Sequence, residues 1–106
     1  MTRYEQFAHL TQEPRRLAIA LEEYFTDEDH RTQYGSYLRR RIRPAAAALI
    51  GQEDLERLEA LSQWFTAPLV DELLETAIER QKPAALVWLL KYKRDRFGFS
   101  GHRFSL

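Results

Sequence analysis

The sequence predicts an all-α protein made of stacked antiparallel helix pairs behind N-terminal capping helices. Three observations carry that prediction. Apolar residues recur three and four positions apart through nearly the whole chain, with neither the strict alternation nor the Asn-Gly turns of β-hairpins. Helix-start signals recur along it, at Thr2, Thr11 and Thr66. The chain also matches itself approximately when displaced by 28 residues, which lays Asp54 to Trp64 over Lys82 to Tyr92.

Seven helical pieces follow in order. Thr2 with Glu5 three positions later forms a capping-box pattern, and Tyr4, Phe7 and Leu10 share the face of the first helix. Thr11 is the expected cap of the second, with Pro14 tolerated in its first turn and Leu17, Leu21, Tyr24 and Phe25 as its apolar stripe. The third is expected to begin near Thr26. Asp27, Glu28 and Asp29 suit the positive end of its dipole, and Arg39, Arg40, Arg41 and Arg43 suit the negative end. Pro44 disfavours helical geometry at Arg43, so a break is expected there before "PAAAALIG" forms a short fourth helix closed by Gly51.

The fifth helix is read over "QEDLERLEALSQWF", with Leu55, Leu58, Leu61 and Phe65 inward. Thr66 and Pro68 open the sixth, in which Leu69, Leu73 and Ala77 share a face that Val70 and Leu74 widen. Gln81 and Lys82 form a tight connection, and Pro83 starts a seventh helix running to about Arg96. Trp88 sits in its apolar run at core spacing. The tail, residues 98–106, is expected to be irregular and packed back by its aromatic residues.

An isolated helix pair cannot bury its apolar side, so the repeat implies two stacked pairs over residues 44–97, with residues 1–43 either capping one end or forming a bundle of their own and the tail closing the other. Within these pairs "AIERQKPAALVWLLKYK" resembles the helical part of an ankyrin repeat, where a small residue precedes a short polar turn and an aliphatic run. "ALIGQEDLERLEALSQW" looks like a second copy. The resemblance covers roughly residues 37–97. It departs from the family in lacking the Thr-Pro-Leu-His start, in placing Gln81 where the turn usually has glycine, and in shortening the finger between repeats to "TAP". The same region is similar to ankyrin-like ends of bacterial proteins. The resemblance implies a protein-binding module and brings no catalytic activity with it.

Length and composition agree with one domain. The 106 residues are 44% hydrophobic and 30% charged, within the globular range. Sixteen basic residues balance sixteen acidic ones, so no overall field steers the chain to nucleic acid or an anionic membrane. The absence of cysteine removes disulfides and thiolate metal sites and fits a reducing compartment. No apolar run approaches the length of a membrane span or signal peptide, so a cytoplasmic location without membrane contact is expected.

His9, His30 and His102 lie in separate segments without ligand spacing, and Ser36, Ser62, Ser100 and Ser105 lack a nucleophile elbow. No enzyme activity, metal or cofactor is expected; those readings would require folding to bring His9 or His30 beside carboxylates in a pocket. Two basic clusters remain: Arg39, Arg40, Arg41 and Arg43, then Lys91, Lys93, Arg94 and Arg96. With Tyr34, Tyr37 and Tyr92 interleaved, they could hold phosphates and stack bases; helix-end electrostatics and side-chain coverage of the core account for the same pattern. Trp64, ending a helix beside a turn, is a further contact residue. The expected partner is another protein or a second copy of the chain, with nucleic acid as the alternative.

Overall fold

The computed structural model describes residues 2–98, and among these every regular element is helical. Phe99 to Leu106, with His102, Ser100, Ser105 and nearly all of the expected tail, lie outside the described residues. The chain divides into two compact units, the first ending at Ala45 and the second beginning at Ala46.

In the first unit, α1 (Arg3–His9) starts as its sequence specifies: the Thr2 hydroxyl accepts from the Glu5 amide, and the Glu5 carboxylate accepts from the Thr2 amide at 2.8 Å. Helix α2 (Glu13–Glu23) begins one residue later than a Thr11 cap would place it, and its N-cap, Gln12, makes no side-chain cap bond. Pro14 occupies the first turn, where no intrahelical donor is lost. The third segment is composite. Asp27 caps a 3-10 turn, Glu28–His30, by accepting from the His30 amide, and α3 (Arg31–Arg40) follows.

The break between α3 and α4 falls at Arg41, not at Arg43. The Arg41 amide closes α3 on Tyr37 and Leu38, and α4 (Ile42–Gln52) starts directly afterwards. Pro44 is therefore the third residue of α4, where an amide hydrogen has no intrahelical acceptor, so proline fits without a break. Arg43 consequently lies in the first turn of α4 and not in the last turn of α3.

The core of this unit is aromatic. Phe7 lies 4.9 Å from the Tyr34 ring and 5.1 Å from Tyr37, edge-on to the latter, and Tyr34, Tyr37 and Leu38 are buried.

In the second unit, Ala45's neighbour Ala46 is buried along with Leu49 and Ile50. Gly51 does not cap α4. It is helical, and the left-handed residue is Glu53, with φ 52°. The Glu53 amide donates to Ile50 and the Asp54 amide to Leu49, the crossed pattern of a Schellman motif. Asp54 then caps α5 (Leu55–Leu61), which tightens into a 3-10 turn at Ser62–Trp64. Thr66 caps α6 (Ala67–Glu79) through the Leu69 amide, and Leu69, Val70, Leu73 and Ala77 form its buried stripe.

Helix α6 ends as α4 does. Gln81 has φ 56°, its amide donates to Ile78, and the Lys82 amide donates to Ala77. Glu53 and Gln81 stand 28 positions apart. Pro83 opens α7 (Pro83–Arg96), which packs on α6. The pair is antiparallel: the Lys93 ammonium near the end of α7 meets Asp71 near the start of α6 at 2.7 Å. Helix α5 runs alongside α7 in the same direction, because the Glu53 carboxylate ahead of α5 accepts from the Ala84 amide at 3.1 Å while the Ser62 carbonyl after α5 accepts from the Tyr92 hydroxyl at 2.9 Å. The Arg80 guanidinium donates to the Ala47 carbonyl of α4, and a Cβ on Gly51 would lie 3.4 Å from it. Small residues on α4 leave its backbone open to that contact.

Candidate functional site

The apolar run of α7 buries only Ala85 and Leu89. Trp88, expected in the core, is half-buried and lies flat against Tyr92, ring centres 5.2 Å apart. An uninterrupted apolar stretch winds around the helix, so only its inward stripe can be covered. Val87 and Leu90, three apart and hence on one face, are 65% and 43% exposed. Ile78 on α6 and Phe97, the C-cap of α7, are the other large apolar residues left exposed among those described. Trp88 and Tyr92 also line an open cleft of about 490 Å³ with Glu59, Ser62, Lys91 and Asp95.

The second basic cluster surrounds this region. Lys91 is exposed at the cleft, Lys93 is tied to Asp71, and Arg94 meets Asp95 at 3.0 Å. Arg96 is exposed in the last turn. Trp64 ends the 3-10 turn half-buried.

The first cluster belongs to the first unit and is split by its surroundings. Arg41 donates to Glu13 at 2.7 Å, and the Tyr37 hydroxyl donates to the same oxygen at 3.0 Å. These two bonds, Arg41's first, hold the Glu13 carboxyl below its ordinary range. Tyr37 is not a surface for stacking a partner. It is 2% exposed, and burial, then the Glu13 bond, pushes its hydroxyl pKa up. Tyr34 is fully buried as well. Arg39 and Arg40 are exposed and make no hydrogen bond or ion pair with the described residues.

One arginine outside the clusters is the most constrained. Arg16 lies 4.8 Å above both the Phe7 and Tyr37 rings, donates from Nε to the Phe7 carbonyl at 3.2 Å, and approaches Glu13 at 3.4 Å. With Arg40 and the exposed side chains of Thr32, Gln33 and Ser36 it lines an open cleft of about 430 Å³, whose apolar wall is Tyr4, Phe7 and Ala8.

His30 sits 2.8 Å from Asp27 and stacks on Tyr4, ring centres 4.0 Å apart, so its ring serves the packing of α1 on the 3-10 turn. His9 lines a smaller cleft with Gln6, Leu10 and Arg15. Among the described residues no group of three His, Asp or Glu side chains is placed to hold a metal ion, and no helix is long and apolar enough to cross a membrane. No protein-family model, curated protein or solved structure matches the chain.

Proposed function

We propose that the chain is a non-catalytic protein-interaction module of ankyrin-like type that binds through the α6–α7 hairpin. The observation that carries the reading is the concentration of exposed large apolar side chains there: Ile78, Val87, Leu90 and Phe97 all belong to that hairpin or its cap. Val87 and Leu90 share a face of α7, and a contiguous exposed apolar patch is a mark of a contact surface.

Ankyrin-like stacking, with residues 1–43 as the N-terminal cap, is part of the proposal. Its support lies in the second unit: left-handed turns 28 residues apart, an antiparallel α6–α7 pair, and α5 parallel to α7. The nucleic-acid alternative has less support, because Arg41, Lys93 and Arg94 already pair with carboxylates and Tyr34 and Tyr37 are buried. A cytoplasmic setting remains part of the proposed reading.

The test is a V87D/L90D double variant, compared with wild type by sedimentation and by pull-down from lysate. With circular dichroism unchanged, loss of self-association or of a specifically captured protein supports the surface. Identical behaviour of the two proteins overturns it. Salt-sensitive binding of RNA or DNA by both would instead favour the alternative.

A further inference from the structure

We propose that the cleft walled by α1, α2 and α3 is a binding site for a phosphate monoester. The site lies wholly in the first unit and does not depend on the α6–α7 surface.

The polar side chains of the cleft are two guanidiniums, two hydroxyls and a carboxamide besides the tyrosines, and no carboxylate lines it. Arg16 is already ordered. Two aromatic faces and the Phe7 carbonyl hold its plane, so the fold rather than a ligand bears the entropy of fixing it. One of its terminal nitrogens donates to Glu13 Oε2 at 3.4 Å, the other oxygen of that carboxylate being taken by Arg41 and Tyr37, and the second terminal nitrogen makes no hydrogen bond with the described residues. The guanidinium therefore keeps donors for an incoming anion.

The second cation, Arg40, follows Ser36 by one helical turn and Gln33 by two, so all three share a face of α3. Arg40, Thr32, Gln33 and Ser36 make no side-chain hydrogen bond with the described residues. Its neighbour Arg41 is committed to Glu13. One face of α3 thus presents unused donors opposite a clamped arginine.

The chemistry selects the anion. A phosphate monoester carries about 1.5 to 2 negative charges near neutral pH and three terminal acceptor oxygens, matching two guanidiniums and adjoining hydroxyls. A carboxylate or a phosphate diester brings one charge and two terminal oxygens, leaving donors unmatched. Tyr4, Phe7 and Ala8 provide an apolar wall for the group carrying the phosphate. That group belongs either to a phosphorylated peptide side chain or to a small phosphate ester.

The whole chain, isotope-labelled, is titrated with phenyl phosphate and with a phosphoserine peptide, using benzoate, dimethyl phosphate and the unphosphorylated peptide as controls. Arg Nε–H and backbone amide signals report binding. Saturable shifts at Arg16 and across 32–40 are expected, with affinity about tenfold or more above the controls. Arg40→Gln should weaken binding about tenfold while Arg39→Gln leaves it intact, since Arg39 does not line the cleft. Tighter binding of the peptide identifies a phosphorylated protein as the source, and tighter binding of phenyl phosphate a small ester. Absence of saturable shifts, equal binding of benzoate, or unchanged affinity in a folded Arg40→Gln variant overturns the proposal.

Discussion

Glu13 in the first unit and Glu53 in the second both join segments distant in sequence, spanning 28 and 31 positions, yet they do so by different chemistry. Glu13 gathers side chains: Arg41, the Tyr37 hydroxyl and Arg16. Glu53 supplies its backbone to a Schellman turn and its carboxylate to an amide at the start of α7. The contrast extends through each unit. The first packs aromatic rings together with polar side-chain pairs, among them Arg3 with Glu22 and Asp27 with His30. The second buries mainly aliphatic residues and pairs two Schellman turns with separate single contacts between helices, among them Glu53 with the Ala84 amide and Lys93 with Asp71. A carboxylate shared by three side chains depends on protonation more than backbone turns and aliphatic packing do.

The largest effect to expect from that contrast is in the second unit. Leu89→Ala removes a fully buried side chain from the inward stripe of α7 and should cost about 2–5 kcal/mol. Residue-resolved amide exchange should show the loss concentrated in α6 and α7. Equal loss of protection in α1 to α3 would mean that the units open as one.

Acid should produce the reverse pattern. Glu5, Glu13 and Asp27, all in the first unit, have carboxyl pKa values below their ordinary range, owing chiefly to the Thr2 amide, Arg41 and His30 respectively. A carboxyl whose pKa is lowered by folding stabilises fully above its unfolded value, and that contribution disappears as pH falls through the lowered folded value. Between neutral pH and the region below the usual carboxylate range, amide protection should therefore decline first in the first unit. Parallel decline in both units would contradict this assignment.

Short-range grammar was legible in the sequence. The Thr2–Glu5 box, the Thr66 cap, the Leu69–Leu73–Ala77 stripe and Pro83 at the start of α7 depend on residues within a turn of one another, and the structure places them as read. The structure departs from the sequence pattern where one residue type fits two positions. Proline is a breaker inside a helix but neutral in its first turn, so Pro44 fits either position in the sequence; glycine is a good cap, yet Glu53, two residues after Gly51, takes that conformation. The candidate cleft was legible only in part. Arg40 stood in a basic run, whereas Arg16, 24 positions away, gave no signal because its stacking on Phe7 and Tyr37 is tertiary.

The paired left-handed turns offer a smaller, more pointed test. Gln81→Gly relieves the strain of positive φ and should stabilise by up to about 1 kcal/mol. Glu53→Gly relieves the same strain but deletes the acceptor of the Ala84 amide, so it should gain less or lose stability. Chemical denaturation of both variants gives the difference directly. Equal gains would show that the Glu53 carboxylate contributes nothing to joining α5 and α7.

The smallest effect separates two tyrosines one helical turn apart on α3. The buried Tyr34 hydroxyl has no hydrogen-bond partner among the described residues, whereas the Tyr37 hydroxyl donates to Glu13 and, in the second unit, buried Ser62 donates to the Glu59 carbonyl. A buried hydroxyl without a partner has lost its hydration and received nothing in exchange, so deleting it removes a penalty. Tyr34→Phe should leave stability unchanged or raise it by up to about 1 kcal/mol, while Tyr37→Phe should lower it by about the same amount. Thermal denaturation should then show a lowered midpoint for Tyr37→Phe and an unchanged or raised one for Tyr34→Phe, at two positions with nearly identical burial. A destabilised Tyr34→Phe variant would reveal a partner for that hydroxyl, such as an enclosed water molecule, and would place a second polar junction inside the aromatic core.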